Sequence, residues 1–213
     1  PKTGVFGLYD LIGIDLMADV LKSFIKELPE IDEFQIVAKE IPLIKKLIET
    51  GYTGRKGKGG FYRMNKDGNK KILEAINLET GEYFPTKKID IKSEKVDLLK
   101  LINREDKYGD YAWAVISKII KYASSLVPGI TDKFNDIDEA MRLGFNWSRG
   151  PFEMLKEIGV SNFFEKIDNF ENNKFLEDLS NTKDENFYGE RQKYTEIETL
   201  GKIRSKALKL DKN

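Results

Sequence analysis

Cysteine and histidine are both absent from the 213 residues. Without cysteine there is no disulfide, no thiolate nucleophile and no cysteine-type zinc site. Without histidine, a Ser-His-Asp triad, a Cys-His pair and a histidine-ligated metal are excluded together. Acid–base chemistry would fall to Asp, Glu, Lys or Tyr, and no metal site is expected. Charge of one sign is also lacking, because 36 Lys and Arg face 36 Asp and Glu. The chain as a whole therefore has no electrostatic reason to seek nucleic acid or anionic lipid. No stretch approaches the roughly 20 apolar residues of a membrane span. Nor does the start resemble a signal peptide, since Lys2 leads into a Gly-containing turn rather than an apolar run.

What remains is the composition of a globular protein, with 40% hydrophobic and 34% charged residues. The length suits one large domain or two small ones. The first residue is Pro1 rather than Met, so a longer natural polypeptide is expected.

Residues Gly4 to Gly13 read as a short helix stopped by Gly13. Asp15 is the expected N-cap of a second helix, Leu16 to Leu28, with an apolar stripe of Leu16, Val20, Leu21, Phe24, Ile25 and Leu28 closed by Pro29. Pro42 suits a first helical position, with Leu43, Ile44, Leu47 and Ile48 on one face and Gly51 at the end. A basic, Gly-rich loop, Thr53 to Gly60, then runs into Phe61-Tyr62. Strands are expected over Phe61 to Asn65 and Lys70 to Asn77, joined at Asp67-Gly68, with a second turn at Glu79 to Glu82 before Tyr83 and Phe84. Pro85 ends this meander, and the Lys-rich residues up to Val96 read as a linker. Asp110 is the expected cap of a long helix with Trp113, Ile116, Ile119, Ile120, Ala123, Leu126 and Val127 facing a core. Asp136 to Leu143 is expected to form another helix, capped by Asn135 or Asp136 and stopped by Gly144. Pro151 suits the first residue of the next, and the polar tail beyond Asn181 offers little pattern until Ile197.

An internal repeat organises these elements. Gly4 to Asp15 lies on Gly150 to Ser161 without a gap, with Gly, Phe, Ile and Gly coinciding at 4/150, 6/152, 12/158 and 13/159. Leu8 faces Met154, and Ile14 faces Val160. The N-cap candidates Asp15 and Ser161 also match, and the physical reading is one helix–Gly–cap–helix unit used twice.

Asp136-Ile137-Asp138-Glu139-Ala140-Met141-Arg142-Leu143-Gly144, then Gly150-Pro151-Phe152-Glu153, then Ile158-Gly159, resembles the start of the helical C-terminal domain of 3-hydroxyacyl-CoA dehydrogenases. Gly54-Arg55-Lys56-Gly57-Lys58-Gly59-Gly60-Phe61-Tyr62, behind the Pro42 helix, looks like the glycine loop that ends that domain. The resemblance implies a mainly α fold: two tandem C-terminal-type helical domains with a small β-meander between them. The first, amino-terminally truncated, would occupy residues 1–84, a linker 85–96, and a second, diverged copy 97–213. In the second copy the loop is eroded to Asn186-Phe187-Tyr188-Gly189. Such tandems resemble multifunctional fatty-acid oxidation enzymes, which are cytoplasmic by expectation. Their NAD sits in a Rossmann domain that would lie outside this segment, and their acyl-CoA lies against that domain. The two copies would form an intrachain pseudo-dimer.

The family's catalytic His has no counterpart here, and no Gly-x-Gly-x-x-Gly turn follows a strand and opens a helix. Neither catalytic nor cofactor-binding residues are therefore expected in the segment. Asn103, in Ile102-Asn103-Arg104, echoes an Asn-Arg pair of the family but stands apart from the Asp136 helix. Arg55, Lys56 and Lys58 are the substrate-side candidates, since glycine lets backbone N–H groups approach a phosphate. A turn requiring positive φ, with solvated charges, is the favoured account of that loop. Gly54, Gly59, Gly60, Phe61, Tyr62, Asp138, Gly144, Gly150, Pro151, Phe152 and Gly159 are assigned structural roles. Asp136 and Asp138 read as helix-capping acids, because carboxylates at i and i+2 do not face each other. A stand-alone helical interaction module is the competing function.

Overall fold

The computed structural model describes residues 3–67, 70–86, 97–190 and 193–210. The protein is mainly helical and divides into two compact units, Pro1–Lys92 and Ser93–Asn213.

The first unit runs α1 (Val5–Ile12), α2 (Ile14–Glu27), α3 (Phe34–Val37), α4 (Pro42–Glu49), β1 (Tyr62–Asp67), β2 (Lys70–Ile76) and β3 (Tyr83–Pro85). The strands form an antiparallel sheet in the order β1-β2-β3, with Tyr62 opposite Ala75 and Ala75 opposite Phe84. Asp67 pairs with Lys70, while the expected Gly68-Asn69 turn lies outside the described residues. Pro85 pairs with Glu74 and the Thr86 N–H donates to the Leu73 carbonyl. The sheet thus reaches two residues into the stretch read as a linker, the rest of which lies outside the described residues. Ile14, Leu47, Phe61 and Ile76 form the core, flanked by Tyr9, Leu43, Ile44, Ile48, Tyr52 and Tyr83. Pro42 is indeed the first residue of α4, where a missing N–H costs nothing.

Asp15 does not cap α2. Gly13, at φ 116°, makes the turn, and the Ile14 N–H donates to the Thr53 carbonyl at 3.0 Å. That bond draws Ile14 into the core and starts the helix two residues earlier than its polarity suggests. The α2 stripe remains largely uncovered: Leu16, Phe24 and Ile25 are all exposed.

The second unit runs α5 (Leu98–Ile102), α6 (Lys107–Ser125), α7 (Phe134–Phe145), α8 (Pro151–Ile158), α9 (Val160–Lys166), α10 (Lys174–Thr182), α11 (Phe187–Glu190) and α12 (Tyr194–Leu210). Helix α8 is central and packs on α5, α6, α7, α9 and α11. Phe134, Phe152, Phe175 and Phe187 are fully buried and stack around one another with centroid spacings of 5.2–6.3 Å. On α6, Ile116, Ile120 and Ala123 are buried as their helical spacing predicts.

Three boundaries differ from expectation. Asp106, not Asp110, caps α6, accepting from the N–H groups of Tyr108 and Gly109. Helix α7 starts at Phe134, ahead of both proposed caps, because burying that ring fixes the first turn. Gly144 lies inside α7 rather than ending it; Asn146, left-handed at φ 53°, is the stop. Asparagine tolerates that conformation through its short polar side chain. In the tail, α12 forms a helix that packs on α10.

Candidate functional site

The Gly-rich loop of the first unit is built around one acid that the sequence did not flag. Asp10, on α1, is 3% exposed and accepts the Phe61 N–H through Oδ1 and the Tyr62 N–H through Oδ2, each at 2.8 Å. Its backbone carbonyl accepts from the Arg55 N–H at 2.8 Å. Glycine is required where this acid passes: a Cβ on Gly60 would lie 2.0 Å from Asp10 Oδ1. The only advance signal was an acid within an otherwise apolar helix.

Other loop amides are engaged within the fold. Gly54 donates to Gly59, Gly57 to Gly54, Lys58 to Gly51 and Gly60 to Tyr62, all to carbonyl oxygens. An anion nest needs free, convergent N–H groups, and this loop has turned them inward. Among the substrate-side candidates, Arg55 and Lys56 are exposed at the loop tip, and the Lys58 ammonium donates to the Thr50 carbonyl at 3.0 Å. Arg55 and Lys58, but not Lys56, rim a cleft of about 580 Å³ whose walls include Gly7, Asp10, Tyr62, Arg63, Met64 and Leu73. Arg63 is held on the sheet by Glu74 at 2.7 Å and lies 3.9 Å over the Tyr83 ring. Hydrogen bonds from Asn65 and Arg63 hold the Glu74 carboxyl below its ordinary range. Burial pushes the Tyr83 hydroxyl up to about 12, and it donates to the Gly60 carbonyl at 2.5 Å.

The second unit repeats the device with different residues. Asp138, fully buried on α7, accepts from the N–H groups of Phe152 and Glu153 at 2.8 and 2.9 Å. It therefore caps α8 from a neighbouring helix and not α7, the helix it was expected to serve. A Cβ on Gly150 would lie 2.2 Å from its Oδ1. Burial raises the Asp138 carboxyl to about 6 despite the N–H donors and the Tyr188 hydroxyl that bonds to it. Burial likewise raises the Tyr188 hydroxyl. Glu153 completes the helix start, accepting from Gly150 N–H at 2.8 Å and pairing with Arg142.

Glu185, also missed, caps α9 through the N–H groups of Val160 and Ser161 at 2.7 and 2.9 Å. Gly159 makes the turn between α8 and α9 at φ 89°. Pro151 and Phe152 are buried core residues at the start of α8. Phe187 is buried, Tyr188 half-buried, and Gly189 has φ 117°. Asn103 ends α5, and its Oδ1 accepts from the Lys166 ammonium at 3.4 Å. Arg149 pairs with Glu157 at 2.8 Å.

NAD does not fit these residues. A dinucleotide site needs a strand, a glycine turn and a helix N-terminus in a parallel sheet. The described sheet is an antiparallel meander, and the glycine loop enters a strand with Asp10 already holding the amides of Phe61 and Tyr62. No group of three or more metal-ligating side chains occurs among the described residues. No described helix is long and apolar enough to cross a membrane.

Residues 1–64 match the family model of the 3-hydroxyacyl-CoA dehydrogenase, C-terminal domain. Those residues carry a C-terminal domain of the 3-hydroxyacyl-CoA dehydrogenase type. It is 42% identical over 155 residues to the "Putative fatty acid oxidation complex trifunctional enzyme" of Rickettsia felis, covering 73% of this chain and 21% of the relative. Its counterpart in Rickettsia prowazekii is 41% identical over 162 residues, 76% of this chain and 22% of the relative. The "Probable 3-hydroxyacyl-CoA dehydrogenase" of Bacillus subtilis is 31% identical over 176 residues, 79% of this chain and 22% of the relative. The chain thus spans about a fifth of the length of these curated relatives. No solved structure matches it significantly. In this chain, the two motifs that carried the resemblance are the two places where a buried acid holds a glycine–aromatic turn.

Proposed function

We propose that this chain is the non-catalytic C-terminal region of an NAD-dependent dehydrogenase that oxidises 3-hydroxyacyl-CoA to 3-ketoacyl-CoA in fatty-acid β-oxidation. The observation that carries the reading is the 42% identity across both units to a protein named as a fatty acid oxidation trifunctional enzyme. NAD is bound by a Rossmann domain elsewhere in the polypeptide, in keeping with the misfit of the cofactor to these residues. The region closes the acyl-CoA cleft against that domain, and its two copies, residues 1–84 and 97–213 about a linker at 85–96, pack as a pseudo-dimer. Arg55, Lys56 and Lys58 face the anionic end of the substrate through their side chains alone. The polypeptide works in the cytoplasm.

The test is absorbance of NADH at 340 nm with a 3-hydroxyacyl-CoA and NAD. The longer natural polypeptide turns over, and the 213-residue segment does not. Turnover by the segment, or none by the longer polypeptide, refutes the reading. The complete lack of histidine favours a second reading, a helical interaction module without activity. A natural polypeptide of the segment's own 24.5 kDa mass supports that alternative.

A further inference from the structure

The internal repeat shows that one face of the first unit is built to be covered. Helices α1 and α8 have eight residues each, start at glycines in extended backbone and end at glycines of positive φ. They are the same element, yet their surroundings differ. On α8, Phe152 and Met154 are 0% and 8% exposed, beneath α5, α6 and α7. On α1 the corresponding Phe6 and Leu8 are 39% and 41% exposed, and Val5 beside them is 62% exposed. Leu11 on the same helix is 49% exposed as well. Single exposed apolar residues are ordinary, whereas a contiguous patch marks an interface.

A second observation says what covers it. Gly150 is glycine because Asp138 leaves no room for a Cβ, with Oδ1 at 2.2 Å. Gly60 is glycine for the same reason under Asp10. Gly4 holds the equivalent place on α1, with an ordinary φ of −68° and nothing within 4 Å of its Cβ position. Neither its backbone nor its described neighbours call for glycine. A carboxylate seated over Gly4, accepting from the amides of Phe6 and Gly7 as Asp138 does from Phe152 and Glu153, accounts for it.

We infer that the exposed face of α1 is the docking surface for a helical segment of the α6–α7 kind, carried by the same longer polypeptide ahead of Pro1, and that this segment sets a carboxylate over Gly4. This rests on the proposal that the region belongs to a longer dehydrogenase, and on relatives more than three times its length. Docking buries Val5, Phe6 and Leu8 as α8 is buried, and completes the first copy of the repeat.

The experiment compares the 213-residue chain with the longer natural polypeptide. Amide exchange is followed in peptides covering residues 4–12, and melting midpoints are taken for wild type and Leu8→Asp. Exchange is expected to slow at least about a hundredfold in the longer polypeptide. Leu8→Asp is expected to leave the midpoint of the 213-residue chain unchanged and to lower that of the longer polypeptide by roughly 5 °C. Equal exchange in the two, equal tolerance of Leu8→Asp, or a natural polypeptide with nothing ahead of Pro1 overturns the inference. So does protection of the 213-residue chain that grows with its concentration, since a second copy is then the occupant. A longer polypeptide that protects α1 but forms no NADH sinks the proposed activity and leaves the docking inference standing.

Discussion

Replacing Asp10 with alanine is the sharpest perturbation of the first unit. The carboxylate makes two hydrogen bonds of 2.8 Å to the Phe61 and Tyr62 amides, and it does so almost out of reach of solvent. A hydrogen bond to a charged group contributes about 1.5–3 kcal/mol net, and a buried donor left alone forfeits a similar amount. Two such bonds set the loss at about 3–6 kcal/mol. Phe61, 6% exposed and stacked 4.7 Å from Phe6, depends on the same anchor. A unit of this size has about 5–14 kcal/mol of total stability, so the loss removes a large part of it. With a urea slope of about 1.5 kcal/mol per molar, the midpoint falls by about 2–4 M. The assay must not rely on tryptophan, because the two tryptophans, Trp113 and Trp147, both lie in the second unit. Far-UV circular dichroism and amide exchange at Phe61 and Tyr62 report the first. Asp10→Asn keeps one acceptor and should fall between wild type and Asp10→Ala. A midpoint shift under about 0.5 M for Asp10→Ala would refute the idea that this acid holds the loop.

Gly60→Ala should cost at least about 2 kcal/mol, because its Cβ would sit 2.0 Å from Asp10 Oδ1; combined with Asp10→Ala it should cost much less than the sum, read in a double-mutant unfolding cycle. Burial holds the Asp138 carboxyl at about 6 against an ordinary 3.8, so the folded protein binds that proton more tightly than the unfolded chain does. Stability from this group therefore falls as pH rises from about 4 to 6 and is level above, and Asp138→Asn should flatten that part of the urea midpoint–pH curve. Hydrogen bonds from Arg104 and from the amides of Gly109 and Tyr108 lower Asp106 to about 2. Its contribution is present above about 4 and lost as pH falls through 2. A carboxyl-carbon NMR titration should show the low midpoint, and Arg104→Met should raise it. Phe134→Ala, at the centre of the aromatic cluster, should destabilise the second unit by about 3–5 kcal/mol and shift the tryptophan-detected transition.

Element type was legible wherever a local rule acted alone. Pro42 opened α4, the period of α6 named Ile116, Ile120 and Ala123 among its buried residues, and Gly13 and Gly159 ended helices because no other residue easily takes their φ. The repeat and the glycine loop were also legible, since both rest on residues whose backbone or contact demands leave few substitutes. Caps were not: Asp15, Asp110 and Asp136 had the right chemistry at plausible places, yet Gly13, Asp106 and Phe134 set the boundaries.

The sequence by itself determined that this protein is mainly helical, that its first unit resembles a dehydrogenase C-terminal domain, and that it has no histidine or thiol chemistry of its own. Those conclusions rest on residue identity, on periodicity and on absence, none of which depends on the path of the chain. Only the tertiary structure decided which acids hold the motifs together. Asp10 meets its partners 51 and 52 residues away, Asp138 reaches a different helix, and Glu185 caps α9 from 24 and 25 residues beyond it. A carboxylate anywhere can satisfy a helix or loop amide; which one does is fixed by packing, which brings distant residues within 3 Å after the apolar faces have met.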